Sequence, residues 1–336
     1  MAVSGDPRQR RKAITLAAAE AGGLVAGALL DAALGDPRRL HPVAGFGRLA
    51  GVVERRLYAP NRAAGAGYVA VAVGAPVTLA VAATLATRRR PWLRAGLMAV
   101  TTWAVLGGTT LRREAGLVAD SLADGDLPAA RRRLPHLCGR DPSTLDESEL
   151  ARATVESVAE NSSDAEVAPL VWGALAGVPG LVGYRAVNTL DAMVGHRSAR
   201  YRRFGTAAAR LDDVANLAPA RLTAALTVVA ARVVGGSWRG ALRTWLRDGG
   251  RHPSPNAGRC EAAMAGALGI RLGGRNVYGQ RVEQRPTLGD GRTAKPDDIR
   301  AAARISAAIG AGALVLTAGH ILARPARRLL WARLAR

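Results

Sequence analysis

Long apolar stretches set what this chain can fold into. Residues 66–86 (AGYVAVAVGAPVTLAVAATLA), 93–110 (LRAGLMAVTTWAVLGGTT) and 305–322 are nearly free of charge. Each approaches the roughly 20 residues that a helix needs to cross a bilayer. A fourth stretch, 14–34, carries Glu20 and ends in Asp31 beyond its apolar part. Two weaker segments, 167–183 and 217–236, contain Pro169 and Pro179, and Arg221 and Arg232, respectively. Each reads either as a span lining a polar cavity or as a helix half-sunk in the interface. The expectation is roughly four to six membrane helices.

Charge supports that reading. The 336 residues are 49% hydrophobic, yet they include 47 basic against 26 acidic side chains, a net charge of +21. Apolar spans separated by arginine-rich loops produce both extremes at once. Lys12 and Lys295 are the only lysines. The excess of Arg suits anionic lipid headgroups or anionic substrates. Nucleic acid is not an expected partner: aromatic residues make up 4% of the chain and no recognition motif is present. Cys138 and Cys260 lie far apart and have no metal-ligand spacing. No phosphate-binding GxxxxGK[ST] loop, GxGxxG turn or GxSxG elbow occurs. The basic residues 1–12 run into an apolar stretch without a cleavage site, so no cleaved leader is expected.

The expected architecture is mainly α-helical: a polytopic integral membrane protein whose irregular polar loops form the active site. A basic extension, 1–13, precedes one domain, 14–330, and a basic tail, 331–336, follows it. The RRRPWLR turn at 88–94 is expected to be cytoplasmic by the positive-inside rule. The polar region after 110 would then begin outside, so either a weak segment re-enters or that turn breaks the rule. Strong strand alternation is absent.

Polar chemistry concentrates in three places. In ESVAENSSD, Glu156 and Glu160 lie one helical turn apart, and Ser163 and Asp164 continue that face. Carboxylates stacked before an apolar segment need a cation or an arginine between them, and the functional reading is a divalent metal or a substrate ammonium. A solvated acidic face would give the same spacing. In the second region, Asn188 and Asp191 share a helix face, as do Asp212 and Asn216, with Arg185, Arg197 and Arg210 among the intervening cations. Phosphate or magnesium phosphate calls for such a set, although a positive-inside loop also accounts for the arginines. The third region, RDGGRHPSPNAG, is a stiff loop in which Ser254 or Asn256 caps a helix starting near Ala257. The free N–H groups of that helix can receive an anion. An early segment with Asp31, Asp36, Arg38 and His41 has the same flavour.

These phrases together are similar to a known family. LGDP followed by HPV (Gly35–Val43), ESVAENSSD, GYRAVNTLDAMVGHR, RLDDVANLAPARLT, and HPSPNAG with EAAMAGALGIRLGG resemble the CobD/CbiB adenosylcobinamide-phosphate synthases, in order, from about residue 25 to 310. The basic extension and the Arg259–Cys260 pair before Glu261 depart from the pattern. The resemblance implies a multi-pass enzyme of the cytoplasmic membrane in cobalamin biosynthesis. It implies an ATP-dependent ligase that uses magnesium to join (R)-1-amino-2-propanol, or its O-phosphate, to the ring D propionate of adenosylcobyric acid. Other cobalamin-pathway enzymes are expected neighbours at the bilayer.

The resemblance does not fix residue roles; the chemistry of carboxylate activation leads us to expect Glu156, Glu160 and Asp164, with Asp191 or Asp212, to hold magnesium, and Arg185, Arg197 and Arg210 to clamp phosphate. A carboxylate or His252 would take the ammonium proton. Asn161, Asn188, Asn216, Ser254, Asn256 and Glu261 complete the expected substrate contacts. Two alternatives share these features: a magnesium-dependent membrane transferase acting on a prenyl diphosphate or CDP-alcohol, and a non-catalytic corrinoid-binding assembly subunit.

Overall fold

The computed structural model describes residues 7–36, 41–196, 198–278 and 281–334. Among these, five helices are long and apolar enough to cross a membrane: Pro7–Leu34, Arg62–Ala86, Glu147–Gly195, Leu217–Val234 and Pro296–Ala326. The chain is thus a mainly α-helical, multi-pass membrane protein, as its hydropathy requires. Both segments that read weakly in the sequence, 167–183 and 217–236, fall largely within these helices. Residues 93–110 do not form one span. Helix α4 (Pro91–Val105) stops at Leu106, whose backbone is extended, and α5 (Gly108–Ala123) starts anew two residues later. Apolar composition continues through that helix boundary.

The fold divides into two compact units, each built from discontinuous stretches. The first comprises Met1–Leu106, Pro169–Val214 and Leu314–Arg336. Its closest helix pair is α1 (Pro7–Leu34) against α4. A Cβ added at Gly23 would lie 2.5 Å from the Ala95 carbonyl oxygen, and one at Gly27 2.5 Å from that of Ala99. Only glycine permits such backbone approach, the usual device by which helices associate where lipid offers no hydrophobic contrast. Glu20, the charge that weakened the first span in the sequence, is met by Arg94 at 3.6 Å and Arg324 at 3.2 Å. Elsewhere in this unit α2 (Pro42–Leu57), α3 (Arg62–Ala86), α9 (Tyr201–Phe204) and α10 (Thr206–Ala215) bury Ala50, Tyr68, Val69, Phe204 and Ala208 with Leu190 and Val194.

The second unit comprises Gly107–Ala168 and Ala215–Ala313. It packs α5, α6 (Leu127–Arg133), α7 (Glu147–Ser162), α11 (Leu217–Ala230), α12 (Trp238–Asp248) and α13 (Ala257–Leu268) with the N-terminal half of α14 (Pro296–Leu334). A hairpin of β1 (Leu272–Tyr278) and β2 (Arg281–Leu288) follows α13, antiparallel, with a bulge between Leu272 and Gly274. No strand was expected here, because glycines and arginines interrupt the alternation. The bulge tolerates that interruption, with Gly273 and Gly274 at φ 86° and 87°. After α7 comes one wide turn, Ser163–Val167, in which the Ala168 N–H bonds to the Ser163 carbonyl. The helix α8 (Ala168–Leu190), broken at Gly177, ends in a second wide turn, Asp191–Gly195. Such turns carry one extra residue and gather at functional positions.

Candidate functional site

Helix α7 begins where its sequence says it should. Asp146 accepts the Glu149 N–H at 2.8 Å while Glu149 accepts the Asp146 N–H at 3.0 Å, a reciprocal cap before an acidic first turn. Two and a half turns on, Glu156 is 3% exposed. One of its oxygens accepts Arg140 at 2.5 Å. The other accepts Arg152 at 3.2 Å and the Gly273 N–H at 2.7 Å. Arg152 also donates to the Gly273 and Arg275 carbonyls and, at 2.9 Å, to the amide oxygen of Asn276. A buried carboxylate is costly unless charge and hydrogen bonds both answer it, and here both do. Arg140, Arg152 and Asn276 were not singled out in the sequence. Arg152 carried a readable signal, its i,i+4 spacing from Glu156. Arg140 and Asn276 carried none.

Glu261 on α13 is the opposite case. It is 1% exposed, and neither of its oxygens has a hydrogen-bond partner among the described residues. Burial pushes its carboxyl well above the usual range, and the nearby charges of Glu156 and Glu160 push it further. His252 lies beside it, with Nε2 3.9 Å from Glu261 Oε1. His252 Nδ1 accepts the Ser254 N–H at 3.0 Å, which leaves the proton of the neutral ring on Nε2. Burial lowers the His252 pKa to about 4, with Arg285 adding to the effect. The imidazole is therefore neutral, and its Nε2 stands 3.9 Å from Glu261, beyond hydrogen-bond distance. Ser254 does the capping expected of this loop, its Oγ accepting the Ala257 N–H at 3.2 Å, whereas Asn256, itself buried, makes no cap.

Glu160 and Asp164 are half-buried and lie within electrostatic reach of Cys260, next to Glu261. The wide turn starting at Ser163 interrupts the even face that helical spacing implied. Asn161 donates to the Ser157 carbonyl at 2.9 Å and to its hydroxyl at 3.1 Å. Glu166, within the wide turn, forms a double contact with Arg112 at 2.9 and 2.8 Å. That pair was likewise not legible, being 54 positions apart.

A resident divalent ion needs several uncommitted oxygen ligands. Glu156 is committed to two arginines and a backbone N–H. Among the described residues no three Asp, Glu, His or Cys side chains assemble as a metal site. The magnesium centre expected from Glu156, Glu160, Asp164 and Asp191 or Asp212 is thus not built by the protein alone. Asp191 and Asp212 fall in the first unit, the other three in the second.

The first unit holds its own polar group. Asn188 donates to Asp212 at 3.3 Å and accepts from Arg185 at 3.5 Å, both weak geometries. Asp191 opens the second wide turn and packs against Gly195. Arg210 is exposed and opposes the upward shift that burial imposes on Asp213. Arg197, expected to clamp phosphate, lies outside the described residues, as does Arg38. Asp212 and Asn216 do not share a helix face. Helix α10 ends at Ala215, and Asn216, 1% exposed, starts the next helix from within the second unit.

The fold and the buried acid–arginine site define a multi-pass membrane protein with a polar centre in its second unit. The family model described as CobD/Cbib protein matches residues 24–306, and the chain belongs to the CobD/CbiB family. It is 55% identical to the cobalamin biosynthesis protein CobD of Mycobacterium tuberculosis (strain ATCC 25618 / H37Rv) over 88% of this chain and 93% of that one. It is 48% identical to the protein of the same name from Geobacter metallireducens, covering 81% and 87%. The corresponding values for the Rhodobacter capsulatus protein are 42% identity, with 80% and 87% covered. No solved structure matches the chain.

Proposed function

We propose that this protein is the amide-forming enzyme of cobalamin biosynthesis. It joins (R)-1-amino-2-propanol, or its O-phosphate, to the ring D propionate of adenosylcobyric acid at the expense of ATP. The reading rests on family membership and on one observation of the site: Glu261 is a buried carboxyl with no hydrogen-bond partner among the described residues, beside two further acids. Such a group calls for a cation, and the substrate amine supplies one. In the reaction ATP with magnesium activates the propionate as an acyl phosphate, Glu160 and Asp164 being the residues that would hold the ion. The amine nitrogen forms a bond to the carbonyl carbon, the carbon–oxygen bond to phosphate breaks, and the nitrogen loses a proton. The bound ammonium favours the ionised form of Glu261, which then takes that proton. His252, whose Nδ1 is engaged by Ser254, keeps its N–H on Nε2, 3.9 Å from Glu261, and so is not the proton acceptor.

The test is mass spectrometry of products from purified protein given adenosylcobyric acid, ATP, magnesium and aminopropanol phosphate. Adenosylcobinamide phosphate, formed with ADP, is expected. Unchanged corrinoid with both the free and the phosphorylated amine would overturn the proposal.

A further inference from the structure

An open pocket of about 240 Å³ lies beside the hairpin in the second unit, lined by Arg152, Arg271, Arg275, Ser148, Thr287 and Thr293 around the Gly273–Gly274 backbone. Apart from Arg152 and Glu149, the polar side chains on its walls are uncommitted among the described residues. Arg271 and Arg275 are exposed and make no ion pair with any described residue. The hydroxyls of Ser148, Thr287 and Thr293 likewise have no hydrogen-bond partner among the described residues. Ser148 stands in the first turn of α7, where the helix dipole adds positive potential. One acid, Glu149, also lines the pocket, but its carboxylate is used in the α7 cap.

Two unpaired guanidinium groups and three hydroxyl donors around a glycine turn are the chemistry of phosphoryl-oxygen recognition. We propose that this pocket binds the triphosphate chain of a nucleotide. The proposal rests on the reading of this protein as an ATP-consuming ligase, and it assigns the phosphates a place. Gly273 joins pocket to site: its N–H holds Glu156, its carbonyl accepts Arg152, and Arg152 faces the pocket. Anionic oxygens arriving there would compete with Glu156 for the same guanidinium. Nucleotide binding would thereby reach the buried acids without touching them.

The experiment is equilibrium binding of ATP to the full-length protein in detergent, without corrinoid or amine, with tripolyphosphate and with a phosphate monoester, phosphoethanolamine, as competitors. Tripolyphosphate is expected to displace ATP, and the monoester is not. In the Arg271→Ala/Arg275→Ala variant ATP affinity should fall by at least about tenfold, as loss of charged hydrogen bonds implies. An Arg88→Ala/Arg89→Ala control, in a separate basic patch, should bind as the wild type does. Unchanged affinity in the first variant, or displacement by the monoester alone, overturns the assignment. Because no amide is formed in this assay, the pocket stands or falls apart from the ligase reading. Loss of binding in the variant with no amide product in the wild type would keep the pocket and remove the reaction. Product formation with undiminished binding would do the reverse.

Discussion

The two polar groups of this protein, one in each compact unit, look alike in sequence and differ in structure. Both pair acids or amides at helical spacing next to apolar segments and arginines. In the second unit the acids are sealed: Glu156 is held by two arginines and a backbone N–H, and Glu261 is buried with no hydrogen-bond partner among the described residues. In the first unit Asn188, Asp191 and Asp212 are half-exposed, and the bonds among Arg185, Asn188 and Asp212 are 3.3–3.5 Å long. Spacing reveals which side chains share a face. It does not reveal whether water reaches them, and that decides how strongly one carboxylate feels another.

The comparison makes a series of measurable claims. Glu261→Gln should lower turnover about 10²–10⁴-fold, the usual worth of a proton-transferring group, with the melting temperature retained. Should it turn over normally while Asp212→Asn is inactive, the weight assigned to the two units is reversed. Arg140→Ala strands a buried carboxylate and should lower unfolding free energy by about 3–5 kcal/mol. Adding Glu156→Gln should recover part of that loss, as followed by denaturant titration in mixed micelles. An additive double variant would show that the pair is not coupled.

A smaller effect belongs to Asp248, held by Arg247 at 2.7 Å and by the Gly289 N–H at 2.9 Å. The Arg247 contact keeps its carboxyl below the ordinary range. A depressed folded pKa gives stability that is full above the unfolded value and lost as pH falls through the folded one. Wild-type stability should therefore decline below about pH 4, and Asp248→Asn should flatten that decline. An equally steep acid limb in the variant would assign it to other carboxylates. The smallest change is expected from Asn188→Ala, whose partly exposed contacts are worth roughly 0–1 kcal/mol, so product yield should stay within a few-fold of wild type.

Much of this architecture was legible beforehand. The apolar stretches at 14–34, 66–86 and 305–322 lie in helices of spanning length, and DESEL opens α7 with its acidic turn. Ser254 caps the helix that starts at Ala257. The failures share a cause: continuity of composition or spacing along the chain stood in for continuity of one helix. The 93–110 stretch stays apolar through a helix end, and Asp212 and Asn216 keep their spacing across another. Partners were the least readable part. Arg112 meets Glu166 and Asn276 meets Arg152 over separations that only folding closes.

The wide turn at Ser163–Val167 has its own consequence. It amounts to one amino acid more than a regular helix would use there, so the downstream side chains are rotated by about 100° relative to an uninterrupted spiral. Deleting a single residue from this turn would restore the ordinary winding and swing Glu166 off Arg112. Length, and not only identity, is thus encoded at that point. A chain one residue shorter would retain nearly every chemical group and still point an acid into the wrong neighbourhood.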